Sequence, residues 1–314
     1  MSTDSDTKPD HEPDSERTDT ENPATTEEGT ERNAQSADTQ TEPTTSESDE
    51  DAPEESSPAS SVPDEPPTSF RAAIQATHLK TVLSTLRAFV DEARVRVTED
   101  GLTVRAVDSA NVAMDDLELK AAAFESFEAS PGTLGLDLSR LADPVGLATT
   151  DDLVQLFLDP ESGKLIVVVD GLQYSAACLD PTSIRSEPTL PEFDLPASVS
   201  VNRDVLQRGV KAAVLVADHV RIRMEAEDET FLIEAEGDID AVAFELGGDD
   251  IDIIAVGGAD ALFNLEYLKK MVRTVPSGTA VTLELGENFP LVLSYDLADG
   301  DGSVTRMLAP RIET

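Results

Sequence analysis

Leu179-Asp180-Pro181-Thr182-Ser183-Ile184-Arg185-Ser186-Glu187-Pro188-Thr189-Leu190-Pro191-Glu192-Phe193-Asp194-Leu195-Pro196 carries four prolines in eighteen residues. Each proline removes a backbone donor and pushes its predecessor towards extended geometry. The segment is therefore predicted to lie extended on the surface, neither regular helix nor central strand. The chain before it and the chain after it look alike. At an offset of 127 residues (221 less 94), Arg94-Val95-Arg96-Val97 falls on Arg221-Ile222-Arg223-Met224. Leu79 and Leu83 fall on Leu206 and Val210, and Leu138 and Leu141 on Leu265 and Leu268. With two extra residues, Leu179 and Pro181 fall on Leu308 and Pro310. A repeat this long is a duplicated domain, because a solenoid unit is only about 20–50 residues.

Within the first half, Leu79, Val82, Leu83, Leu86, Phe89 and Val90 recur at helical spacing, with Thr77 placed to cap the start. Alternating segments at 94–97, 102–107 and 112–119 read as strands. The order then recurs: a strand at 134–137, a short helix on Leu138, Leu141 and Val145, and strands at 153–158, 164–169 and 174–179. Pro144 is expected to kink or shorten that helix. The fold class is α+β: four strand-helix-three-strand units paired into two domains, with helices on one face of each sheet. The domains are residues 70–178 and 198–314, joined by a connector at 179–197.

Residues 1–69 contain no Leu, Ile, Phe, Tyr or Trp and carry 21 acidic against three basic residues, so disorder is expected there. The rest keeps 43 acidic and 20 basic residues, a net charge of −23. Such a charge ordinarily opposes nucleic acid, but it also suits a cytoplasm of concentrated salt, where charges are screened within about 3 Å at 1 M. Cys178 is the single cysteine, which excludes an intrachain disulfide. No apolar run approaches the roughly 18 residues of a membrane span and no signal-peptide core is visible. The expected setting is the cytoplasm, without membrane contact.

The few cations are unevenly placed. The helical windows 77–89, 138–148, 202–215 and 264–275 hold nine of the 20: Lys80, Arg87, Arg140, Arg203, Arg208, Lys211, Lys269, Lys270 and Arg273. Only three acids, Asp143, Asp204 and Glu266, share those windows. Ordinary solvated helix faces would carry Glu as well, which has equally good helix propensity. The imbalance points to a surface that faces phosphates. Two domains form only part of a ring, so closure would need further copies joined edge strand to edge strand. No catalytic constellation, Walker loop, dinucleotide fingerprint or metal-ligand spacing is present. Asp299-Gly300-Asp301-Gly302 reads as a turn. The reading is of a non-enzyme without cofactor or metal; the alternatives to a phosphate-facing ring are an acidic scaffold that binds partner peptides but no DNA, or a salt-adapted enzyme with an unrecognised site.

Arg105-Ala106-Val107-Asp108-Ser109-Ala110-Asn111-Val112, Asp180-Pro181-Thr182-Ser183-Ile184-Arg185, Phe263-Asn264-Leu265-Glu266-Tyr267-Leu268 and Leu308-Ala309-Pro310-Arg311-Ile312-Glu313 occur in that order. With them the chain resembles sliding clamps of the proliferating cell nuclear antigen type from salt-loving archaea, over Phe70 to Glu313. The resemblance implies a homotrimeric ring around duplex DNA, associated with the nucleoid, that tethers DNA polymerase and other replication and repair enzymes. It also implies that polymerase, clamp loader, flap nuclease and ligase dock short peptides. Their pocket would use Val107, Asn111, Val112, Met114, Leu190, Pro290, Met307, Ala309, Pro310 and Ile312. It further implies a subunit interface in which Tyr174, Ala176 and Cys178 of one copy meet Val242 and Phe244 of the next. The family begins close to Phe70, so the acidic extension departs from it.

Overall fold

A computed structural model describes residues 62–189, 191 and 193–312. Leu190 and residues 1–61 lie outside the described residues. The first half runs β1 (Phe70–Gln75), α1 (Ala76–Leu86), β2 (Glu92–Val97), β3 (Gly101–Val107), β4 (Ala113–Lys120), β5 (Ser126–Ala129), β6 (Gly132–Asp137), α2 (Leu138–Gly146), β7 (Leu153–Asp159), β8 (Lys164–Val169) and β9 (Leu172–Ala177). The second runs β10 (Ala197–Asn202), α3 (Arg203–Ala213), β11 (His219–Glu225), β12 (Thr230–Glu236), β13 (Ala241–Leu246), β14 (Ile251–Ala255), β15 (Ala259–Asn264), α4 (Leu265–Thr274), β16 (Ala280–Leu285), β17 (Leu291–Leu297) and β18 (Gly302–Leu308). The 127-residue offset carries β1 onto β10 and β6 onto β15 end for end.

Two short strands escape the expected unit. β5 pairs back on β1, and β14 pairs back on β10, so the first unit of each half has a fourth strand. Each is only four or five residues long, too short for alternation to stand out from a loop. The cap at Thr77 is also corrected. α1 begins one residue earlier without a side-chain cap, and the Thr77 hydroxyl donates instead to the Thr150 carbonyl. The other helices are capped by Asp137, Asn202 and Asn264, whose side chains accept from backbone N–H groups of the first turn. α2 passes through the buried Pro144 and stops two residues later, closed by bonds from Leu147 to Pro144 and from Ala148 to Val145. The proline shortens the helix, to nine residues against eleven in α1.

The strands form three antiparallel sheets, ordered β5-β1-β7-β8-β9, β14-β10-β16-β17-β18-β4-β3-β2-β6, and β13-β12-β11-β15. Each half thus supplies a five-stranded and a four-stranded sheet, and the central nine-stranded sheet arises where β18 of the second half pairs with β4 of the first. Register there runs from Gly302 opposite Leu119 to Leu308 opposite Ala113. Strands such as β2, β4, β11 and β15 bury alternate residues, and the buried faces share one apolar core with the helices. α1 packs on α2 and on α4, and α3 packs on α4, so the helices stand in the row α2, α1, α4, α3.

Following the hydrogen-bonded registers corrects the end of the sequence repeat. Gln155 pairs with Val168, which pairs with Gln173. Their counterparts are Thr282, Ser294 and Thr305. Tyr174 therefore corresponds to Arg306 and Ala176 to Leu308, not Leu179 to Leu308. The hairpin between β17 and β18 is longer than that between β8 and β9, and similar Leu-x-Pro tripeptides mask the shift.

Candidate functional site

Two surfaces collect the residues singled out from sequence. On the helix side, the nine cations are not equivalent. Lys80 donates its Nζ to the Ala148 carbonyl at 2.5 Å and so ties α1 to the end of α2. Arg203 does the same for the other pair, donating to the carbonyls of Val272 and Arg273 at 3.2 and 3.1 Å from a side chain only 11% exposed. The Val272 and Arg273 carbonyls are among those that the end of a helix leaves without partners. Arg140 pairs with Asp137 at 3.1 Å, Lys269 with Glu266 at 3.7 Å, and Lys211 donates to Gln207. Lys270 holds its ammonium 5.9 Å from the centre of the Tyr267 ring. Arg87, Arg208 and Arg273 are exposed. Arg87 and Arg273 line one shallow depression with Thr81, Ser84 and Pro276, where the C-terminal ends of α1 and α4 meet.

The second surface is on the opposite face of the nine-stranded sheet. Val107 lies opposite Met114 in the β3–β4 pair, Met114 opposite Met307 in the β4–β18 pair, and Met307 opposite Val292 in β17. Directly opposed residues share a face, so these four form one apolar row across four strands. Pro290 leads into β17 at one end of the row. Ala309 donates its N–H to the Val112 carbonyl, which lays the C-terminal segment, with Pro310 and the 83% exposed Ile312, beside the loop after β3. The structure thus gathers Val107, Val112, Met114, Pro290, Met307, Ala309 and Pro310 into one region. Sequence reasoning missed Phe289, which is 48% exposed and meets Phe193 of the connector edge to face at 5.8 Å. An aromatic beside Pro290 was the available signal.

The loop 108–112 is held by Asp108. Its carboxylate accepts from the N–H groups of Ala110, Val112 and Ala113 and from the Tyr267 hydroxyl of α4 at 2.8 Å. Burial pushes the Asp108 carboxyl up, but the bonds from Ala113, Tyr267, Ala110 and Val112 together hold it below the usual carboxylate range. Asn111, at φ 57°, accepts from Arg185 of the connector, whose other nitrogen donates to the Asp108 carbonyl at 2.7 Å. One loop is thus fastened both to a cation-bearing helix and to the connector.

The residues expected at a subunit interface lie on two free edges. β9 ends the first sheet and β13 the third. Ala176 is buried and Tyr174, Val242 and Phe244 half-buried, on the core-facing side of their strands. Gly209 of α3 leaves room for Phe244, whose ring carbon would stand 2.8 Å from a Cβ placed there. Cys178 lies one residue beyond β9, and burial pushes its thiol up.

The family model for the proliferating cell nuclear antigen N-terminal domain matches residues 70–177. The chain is 46% identical to the DNA polymerase sliding clamps of Natronomonas pharaonis and of Haloarcula marismortui. Both matches run over 245 residues, 78% of this chain and 99% of each relative. It belongs to the sliding-clamp family. Among solved structures, it is similar to the A. fulgidus clamp bound to the C-terminal region of FEN-1. That match has a TM-score of 0.73 at 35% identity and covers 78% of this chain and 99% of the other. A second likeness, at TM-score 0.70 and 26% identity, is to the clamp of Thermococcus kodakaraensis. As a sliding clamp, the protein is a DNA polymerase processivity factor and not an enzyme. Among the described residues no helix is long and apolar enough to cross a membrane.

Proposed function

We propose that three copies close into a ring around duplex DNA, with β9 of each copy pairing with β13 of the next. One observation carries this reading: the in-chain pairing of β18 with β4 is a template for it. β9 and β13 are the counterparts of those two strands, and both are unpaired edges. Copying the in-chain register sets Leu172 opposite Phe244 and Tyr174 opposite Val242 of the neighbour. It also sets Arg140, the counterpart of Tyr267, against the neighbour's loop Gly237-Asp238-Ile239-Asp240, the counterpart of the Asp108 loop. Arg140 then serves the boundary between copies rather than DNA.

The domain division at 70–178 and 198–314 follows from the same template, each half supplying one five-stranded and one four-stranded sheet. The row of four helices, repeated in each of three copies, gives twelve helices that line the bore. Arg87, Arg208, Lys211, Lys269, Lys270 and Arg273 face the duplex, while Lys80 and Arg203 brace helix pairs. Phosphate contacts lose affinity steeply as salt rises, so the hold is topological and the cations centre the duplex. The apolar row of Val107, Met114 and Met307, with Phe289, Pro290 and the C-terminal segment, receives short peptides from polymerase, clamp loader, flap nuclease and ligase. The A. fulgidus relative holds such a segment of FEN-1. The working place is the cytoplasm, on the nucleoid.

Loading the protein on nicked circular DNA in concentrated salt, then cutting the circle, tests encirclement. Retention is expected to collapse on linearisation. Equal retention on both forms would favour the scaffold that does not encircle DNA.

A further inference from the structure

The eight residues before Phe70 were expected to share the disorder of the acidic segment. The described part of that segment instead lies along β6, the outer strand of the nine-stranded sheet. The Thr133 N–H donates to the Glu65 carbonyl at 2.8 Å, and its hydroxyl donates to the Pro63 carbonyl at 2.7 Å. Pro67 is buried. Ser130 N–H donates to the Ser69 carbonyl at 2.9 Å, and Ser69 N–H to the Ser130 hydroxyl at 3.0 Å. Arg96, the neighbour of Thr133 on β2, reaches the Val62 carbonyl with one nitrogen at 3.5 Å. Its Nε meets both carboxylate oxygens of Glu187 in the connector at 2.7 Å. Two residues along β6, the Leu179 N–H donates to the Gly135 carbonyl at 2.8 Å. Preceding segment and connector therefore share one strand edge, end to end, with Arg96 linking them.

The seat is built into β6. A Cβ on Gly132 would stand 2.4 Å from the Pro67 nitrogen and 2.8 Å from the Glu65 carbonyl oxygen, so only glycine admits the passing chain. Thr133 is 0% exposed, and a buried hydroxyl without a partner is costly. Its partner is Pro63. The second half supplies a control, because β15 matches β6 residue for residue. There Ala259 and Asp260 stand in place of Gly132 and Thr133. Asp260 is 41% exposed and paired with Arg221 and Arg223. Arg223, the counterpart of Arg96, spends its nitrogens on Glu225, Glu234 and Asp260 of its own sheet. The glycine, the buried threonine and the outward-reaching arginine occur together only where a segment lies over them.

We propose that residues 62–69 are a fixed strap of the folded clamp, seated on Gly132 and Thr133 and clasped to the connector through Arg96 and Glu187. The strap seals an edge strand that would otherwise present unpaired groups. It also brings Val62 to Arg96, which holds Glu187 of the connector. This reading does not depend on the ring.

Comparing amide hydrogen exchange of the full chain with truncations starting at residue 62 and at residue 70 tests it. The chain from 62 is expected to match the full protein. In the chain from 70, exchange at the Thr133 amide is expected to rise at least tenfold, and that at Leu179 measurably. Full-length Gly132→Ala, which crowds the strap without shortening the chain, is expected to reproduce the Thr133 effect. Equal Thr133 exchange in the two truncations would overturn the seat. A Thr133 response with Leu179 unchanged would overturn the clasp to the connector.

Discussion

The pairing of β18 with β4 and the free edges β9 and β13 are the same construction used twice, and they differ in what they bury. The in-chain seam encloses Arg306, 0% exposed, against Asp115, 1% exposed, at 2.7 Å. Arg306 also donates to the carbonyls of Met271 and Thr85 and to the Thr274 hydroxyl, and its guanidinium lies 4.6 Å from the centre of the Phe89 ring. Thr85 in turn shares a hydrogen bond with the Tyr295 hydroxyl. At the corresponding places, the free edges carry Tyr174 and Val242. A seam within one chain keeps its partners in register permanently, so a buried ion pair there is never left half made. On the proposed ring, Tyr174 and Val242 would let these edges meet water before pairing without exposing a stranded charge.

Burial pushes the Asp115 carboxyl up, and Arg306 pulls it back only in part. A carboxyl held above its ordinary value contributes most below about pH 4 and less as pH climbs past it. The pair therefore specifies alignment more than it adds stability at neutral pH.

The contrast can be broken from its strongest point downwards. Arg306→Ala strands Asp115 and is expected to cost about 3–5 kcal/mol in denaturant unfolding. Arg306→Met with Asp115→Leu, which removes both charges, is expected to stay near the parent; a double variant as unstable as the single one would show that the ion pair itself supports the fold. Next, Val242→Asp puts an unpaired carboxylate at the proposed boundary between copies. It should weaken trimer assembly about a hundredfold, equivalent to about 3 kcal/mol, in sedimentation with the monomer still folded. Assembly unchanged by this variant would contradict the pairing of β9 with β13. Smallest is Arg140→Gln. An exposed ion pair is worth about 0.2–1 kcal/mol, so a severalfold weakening of assembly is expected, with no change in salt-dependent retention on circular DNA. The opposite result would return Arg140 to the bore.

The repeat, the four helices and the connector were legible because apolar periodicity and proline act locally. Other features depend on distance in the chain. Arg306 and Asp115 are 191 positions apart, and each sits where an alternating strand ordinarily puts an apolar residue. Nothing local marks them as partners. Lys80 and Arg203 looked like their helix-borne neighbours because the carbonyls they bond lie far along the chain, just beyond α2 and in the last turn of α4. The strap was hidden for a compositional reason: eight residues without a large apolar side chain read as disorder, and their fit is recorded in Gly132 and Thr133 instead.

Arg306 has one more consequence, in the language of helix dipoles. α1 and α4 both end at the seam, and the carbonyls of Thr85 and Met271 that receive Arg306 belong to their last turns. Each helix end carries roughly half a negative charge, so two such ends converge at one spot. The Arg306 guanidinium gives those carbonyls donors, but its charge is matched by Asp115, so the net positive charge that offsets this field comes from Arg87 and Arg273 at the rim. Without those two, the middle of the helix row would repel a polyanion from the place where the two halves of the molecule join.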